Sequence, residues 1–275
     1  MGERVVQHGG VSLAVEEAGT GQPVVLLHGL TATRRYVVMG SRALERSDHR
    51  VVSYDARGHG VSGPAPDPRG YGYDELGADL VAVLDQLGLE RPVIAGASMG
   101  ANTALWLALE HPERVAGVVV ITPGYDPETV DDDRSLARWD ALAQGLRDGG
   151  VEGFVAAYGE PRVPQEWRET VLKVIRQRLA LHEHPEAVAD ALNVVPRSRP
   201  FARLEDLAAI SSVPVGVVAS ADEPDPGHPQ ALAEAYARAI PGSRLITDEP
   251  GKSPTAWQGS QLSRVIASVA AEAFA

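Results

Sequence analysis

Ser98 is the residue whose setting most clearly points to chemistry. It sits in Gly96-Ala97-Ser98-Met99-Gly100, a G-x-S-x-G spacing between an apolar strand pattern and a helical one. That context reads as a nucleophile elbow, a sharp strand-to-helix turn that lifts a serine hydroxyl above a sheet. Glycines at 96 and 100 relieve backbone crowding in such a turn. A serine at a helix N-terminus also meets unpaired N–H groups and a dipole that favours developing negative charge. The chemistry implied is nucleophilic attack, and it needs a proton acceptor.

The elements that must position Ser98 are legible on either side. Val24–Leu27 is a continuous apolar run entered from Pro23, suited to a strand buried on both faces. The pattern predicts a helix over 34–46, a strand over 50–55, a helix over 73–89 with Asp74 as its cap, and a strand over 92–97. After the elbow come a helix to about 110 and a strand over 115–121. This alternation predicts a parallel sheet with helices on both faces, with segments 4–6 and 11–16 as an antiparallel hairpin at one edge.

Strand signals vanish over 122–211. Helical stripes replace them, such as Leu136, Trp139, Leu142 and Leu146, or Val188, Leu192 and Val195. The division expected is a core of 1–121 and 212–275 with a helical lid of 122–211 over the sheet's carboxyl edge, where open α/β sheets bind ligands. Strand–helix alternation then resumes at 213–219, 230–240, 243–247 and 257–274. Asp131-Asp132-Asp133 reads as a solvated helix start.

Bulk properties exclude some roles. A net charge of −12 over 275 residues argues against nucleic acid or an anionic membrane as partner. With no cysteine, thiol catalysis, disulfides and Cys-based zinc sites drop out. No secretory h-region and no run of about 18 apolar residues is present, so a cytoplasmic location without membrane association is expected. No cofactor or metal is called for. A small-molecule substrate is expected. Trp139, Phe154, Tyr158 and Trp167 hint that it is apolar, although such residues also build lid interiors. Oligomeric state is not readable.

Four pieces in order resemble the α/β-hydrolase superfamily across nearly the whole chain. They are His28-Gly29-Leu30 after a strand, Asp55-Ala56-Arg57-Gly58-His59-Gly60 after the next, the elbow, and the helical insertion after the following strand. The arrangement is most similar to small esterase, lactonase and haloperoxidase-like members. The Met99 N–H is expected to be one oxyanion donor, and the resemblance implies that the Leu30 N–H is the second. Losing one such donor costs about 2.7–4 kcal/mol of transition-state stabilisation. Asp55, Arg57 and His59 are expected to brace their loop.

The resemblance places the catalytic carboxylate after the strand at 213–219, where the chain offers Asp222 first, Glu223 close behind, and Asp225. It places the histidine in a Gly-His-x-Pro loop before the last helix, and there the chain reads Gly251-Lys252-Ser253-Pro254. As a base, Lys252 would have to fall from a pKa of ~10.4 to about 7, a difference of roughly 4.6 kcal/mol. Burial can supply that, but a neighbouring carboxylate opposes it. A charged Lys252 suits anion binding instead. His28 and His228 are the alternative bases, with His59 a weaker one.

Three readings of function result. One is a serine hydrolase of a small ester or lactone with a non-standard proton acceptor. A second keeps the fold for non-hydrolytic chemistry on a carbonyl compound, such as cyclisation, elimination or C–C bond reaction. The third is a non-catalytic ligand binder.

Overall fold

The computed structural model describes residues 2–221, 225–247 and 257–275. Among the described residues, eight strands form one sheet in the order β1-β2-β4-β3-β5-β6-β7-β8. They are β1 (Gly2–His8), β2 (Val11–Ala18), β3 (Gln22–Leu27), β4 (His49–Tyr54), β5 (Val93–Ala97), β6 (Gly117–Ile121), β7 (Val215–Ala219) and β8 (Arg244–Thr247). The β1–β2 and β2–β4 pairs are antiparallel, and every other neighbouring pair is parallel. The predicted edge hairpin is therefore present, joined by Gly9-Gly10.

The apolar runs explain why the central strands are interior. Alternate residues of each strand point to opposite faces. Val25, Leu27, Ile94, Val118, Val120 and Val217 face one buried cluster, while Val24, Leu26, Val93, Ala95, Val119 and Val218 face the other. The first cluster packs under α1 (Tyr73–Gln86), α2 (Met99–Glu110) and, further along the chain, α6 (Gln230–Ala239). The second packs under α7 (Gly259–Ala273). Fully burying one such aliphatic side chain stabilises the fold by about 1.5–3 kcal/mol. The sheet is thus held from both sides.

Helices α3 (Asp133–Tyr158), α4 (Gln165–Leu179) and α5 (Pro185–Val194) lie between β6 and β7. They share a separate apolar interior built from Leu142, Leu146, Phe154, Ile175, Val188 and Leu192. Trp139 and Tyr158 pack against it, and the Phe154 and Tyr158 rings stack with centroids 6.3 Å apart. Helix packing accounts for these three aromatics without a ligand. The acidic run starts α3 as expected, with the Asp132 carboxylate accepting from the Ser135 N–H at 2.7 Å.

Two local expectations fail. Residues 34–46 do not form a helix, since only Arg34–Tyr36 makes a short 3-10 turn. Asp55 takes both the Arg34 N–H, at 2.8 Å, and the Arg34 guanidinium. Met39 and Gly40 then turn left-handed, with φ of 47° and 73°, which no α-helix continues through. Asp74 does not cap α1 either. Gly72 holds the cap position, and the Tyr73 N–H donates to Ser198 Oγ at 2.8 Å. Asp74 instead accepts from Trp106 Nε1 at 3.0 Å.

Candidate active site

Ser98 joins β5 to α2 under constraint from both. Its N–H donates to Ile121 O on the neighbouring strand at 2.9 Å, and its C=O accepts from the Asn102 N–H of the helix at 3.1 Å. To satisfy both, the residue adopts φ 50° and ψ −111°, a conformation rarely taken by an L-residue and a recognised form of stored strain at functional sites. Glycines make the turn feasible. A Cβ on Gly96 would stand 2.1 Å from Gly100 O, and one on Gly100 would stand 2.3 Å from Leu27 O. Both clashes are with backbone, which cannot step aside.

His228 meets this hydroxyl. Its Nε2 lies 2.9 Å from Ser98 Oγ, and its Nδ1 lies 2.9 and 3.0 Å from the two Asp225 carboxylate oxygens. The carboxylate accepts, so Nδ1 carries the proton and Nε2 keeps the lone pair facing the serine. Both residues come from one turn between β7 and α6. Asp225-Pro226-Gly227-His228 closes with the His228 N–H donating to Asp225 O at 3.1 Å. Asp at the first position and Pro at the second favour such turns. That spacing was the available signal for the pairing, since it folds residues three apart onto one another.

The walls are close. A Cβ on Gly124 would stand 3.1 Å from His228 Cδ2 and 3.4 Å from Ser98 Oγ, so the chain after β6 presses on this contact. On the other side a Cβ on Gly29 would stand 3.3 Å from both Ser98 Cβ and Ala97 O. Leu30 therefore follows directly beside the elbow. Met99 opens α2, where the first N–H groups have no partner within the helix.

The other histidine alternatives are tied elsewhere. His28 Nδ1 donates to Gly29 O at 2.9 Å, and its Nε2 accepts from the Ala56 N–H at 2.9 Å. With both nitrogens on the main chain and burial lowering its proton affinity, His28 has no lone pair to offer Ser98. His59 Nδ1 donates to Arg57 O at 2.9 Å, and burial drives that ring well toward neutrality. Asp55 accepts from the Arg34 and Val61 N–H groups. Arg57 makes a two-pronged pair with Asp79, both contacts at 2.7 Å. Asp222, Glu223 and Lys252 lie outside the described residues. Among the described residues, no group of three or more His, Asp or Glu side chains is placed to hold a metal ion, and no helix is long and apolar enough to cross a membrane.

With this fold and geometry in view, the comparisons define the class. A family model described as the alpha/beta hydrolase fold matches residues 22–191, and the chain belongs to that family. Particular relatives extend the likeness beyond the matched segment. A protein of Caulobacter segnis assigned as carbamate hydrolase RutD is 29% identical over 81% of this chain and 81% of its own. A Mycobacterium phage D29 protein assigned as a non-heme haloperoxidase is 36% identical over 43% of this chain, and the alignment spans 42% of that relative's length. Among solved structures, a thermophilic esterase from Thermogutta terrifontis, determined with malate bound, superposes with a TM-score of 0.78 at 26% identity, covering 100% of both chains. Esterases, lactonases and carbamate hydrolases are thus among the relatives of this hydrolase-family chain.

Proposed function

We propose that the chain is a serine hydrolase of small carboxylic esters or lactones, working through Ser98, His228 and Asp225. Ser98 Oγ attacks the substrate carbonyl carbon while His228 Nε2 takes the hydroxyl proton. The carbonyl π electrons move onto oxygen, and the N–H groups of Met99 and Leu30 receive the oxyanion. Collapse of the intermediate breaks the bond to the leaving alkoxide, which His228 protonates. Water then attacks the acyl-serine with His228 again as base, releasing the acid and restoring Ser98. Asp225 stays ionised throughout, holding the imidazole in the required tautomer and stabilising its charged form.

The single observation that supports this reading is the 2.9 Å contact of His228 Nε2 with Ser98 Oγ, backed by Asp225 on the other ring nitrogen. The reading assigns the acid to Asp225 in place of Asp222 and Glu223. It asks nothing of Lys252 or His28, and no cofactor enters it. The proton acceptor is non-standard only in its place in the chain, since it follows β7 instead of preceding the last helix. The non-hydrolytic alternative drew on a serine without a histidine, and a histidine within hydrogen-bond reach removes that motive.

The test is covalent labelling with a fluorophosphonate probe together with p-nitrophenyl acetate turnover. Wild type is expected to label at Ser98 and turn over, and Ser98→Ala to do neither. A wild-type protein that neither labels nor releases p-nitrophenol would end the proposal.

A further inference from the structure

Arg178, near the C-terminal end of α4, breaks the pattern set by the other shielded arginines of this chain. Arg34 is matched by Asp55, Arg57 by Asp79, Arg50 by Glu17 and Arg147 by Asp190. Among the described residues Arg178 forms no ion pair. Its Nη2 donates to Thr31 Oγ1 at 3.2 Å, and its buried Nε has no hydrogen-bond partner. The side chain as a whole is part-buried, but an Nε–H held away from water without an acceptor carries a desolvation cost. Burial does act on this group, lowering its proton affinity against the weaker opposing influence of Tyr36, Tyr158 and Asp225.

Its position says what could offset that cost. Thr31 directly follows Leu30, whose N–H is the proposed second oxyanion donor, and consecutive Cα atoms are about 3.8 Å apart. Leu30 itself packs against the interior of the helical segment that carries Arg178. The unpaired cation therefore stands where α4 meets the elbow's surroundings. A net charge of −12 would otherwise repel an anionic substrate, so a local cation has to supply its attraction.

We infer that Arg178 binds a carboxylate of the substrate, so that the preferred substrates are esters or lactones carrying a free carboxylate a few bonds from the reacting carbonyl. The planar fork of the guanidinium suits two-pronged binding of that group through its terminal nitrogens. This deepens the hydrolase proposal above and rests on it.

The experiment compares monoethyl glutarate with ethyl pentanoate, nearly equal in length and differing by one carboxylate, on wild type and on Arg178→Gln and Arg178→Lys. Wild type is expected to favour monoethyl glutarate at least ~10-fold in kcat/KM. In Arg178→Gln that preference should fall to about 1, mainly through KM, with Arg178→Lys in between. Glutarate should also inhibit the wild type competitively, which tests the inference even if the variants fail to fold. No wild-type preference, no inhibition by glutarate, or an equal loss on both esters in Arg178→Gln would each overturn it. Fluorophosphonate labelling of Ser98 is run alongside. Labelling without any carboxylate preference sinks only this inference, whereas absent labelling sinks the hydrolase proposal beneath it.

Discussion

His228 Nε2 and Ser98 Oγ, 130 positions apart in the chain, meet at 2.9 Å, while the carboxylate that orients the imidazole sits three residues before it. Base and acid share one turn, so their mutual geometry is set locally by Pro226 and Gly227. Only the approach of that turn to Ser98 depends on the sheet. β6 lies between β5 and β7, so the two parts of the site are carried by strands with one strand between them.

If these three groups act as a unit, their losses should not add. Ser98→Ala and His228→Gln are each expected to lower kcat by ~10⁶, Asp225→Asn by ~10⁴, and the double variant His228→Gln/Asp225→Asn by no more than the histidine change alone. Initial rates on p-nitrophenyl acetate measure this. An Asp225→Asn protein that keeps a tenth of its activity would move the acid to Asp222 or Glu223.

The fold was largely legible because its central strands are apolar on both faces. Runs such as Val24–Leu27 and Val118–Ile121, set between helical stripes, suit a covered parallel sheet, and they are buried on both of its faces. The serine was legible because the crowding at Gly96 and Gly100 is written in residue type. The helix expected over 34–46 failed because Met39 and Gly40 turn left-handed, with φ of 47° and 73°, a break that apolar periodicity alone does not register. His228 was named only as an alternative, since its meeting with Ser98 depends on how far a loop reaches across the sheet edge. The choice between His28 and His228 rested on main-chain partners at Gly29 and Ala56 that no spacing encodes.

Gly124 offers a test of geometry without touching the three groups. A methyl there would lie 3.1 Å from the His228 ring, forcing that ring or the loop to shift by a few tenths of an ångström. Misplacement near 1 Å can cost ~10²-fold, so Gly124→Ala is expected to lose about 10-fold in kcat and Gly124→Val substantially more. Thermal unfolding of Gly124→Ala should stay within a few degrees of wild type. An unchanged kcat in Gly124→Val would mean that His228 does not hold its position during turnover.

The strained backbone of Ser98 predicts a trade between stability and activity. At φ 50° and ψ −111° glycine is far less hindered than serine or alanine. Ser98→Gly should abolish turnover yet unfold at a higher temperature than Ser98→Ala. A relief of about 1 kcal/mol corresponds to roughly 2–4 °C for a chain of this size. Differential scanning calorimetry of the two inactive variants makes the comparison directly. A lower melting point for the glycine variant would show that this conformation carries no strain.

His28, His59 and His182 form a buried cluster in which His59 lies tilted to His28 and edge-on to His182, with ring centroids 5.2 and 5.5 Å apart. Burial lowers the proton affinity of all three, His59 strongly and His182 to about 4. In the unfolded chain they titrate near ~6.5. Above that pH they are neutral in both states and contribute no pH dependence. As pH falls below ~6.5 the unfolded chain takes up protons that the native rings refuse, so stability declines from there toward about 4, where His182 itself begins to charge. Each histidine adds up to about 1.4 kcal/mol per pH unit in that window. Asp55 near His28 and His182 moderates the effect, and Arg178 beside His182 strengthens it. Urea unfolding at pH 8, 7, 6 and 5 should therefore give a plateau followed by a fall. His59→Phe should make that fall shallower by about one proton, because it removes one ring that the native state keeps neutral. A flat profile down to pH 5, or an undiminished slope in His59→Phe, would show that the cluster admits protons while folded.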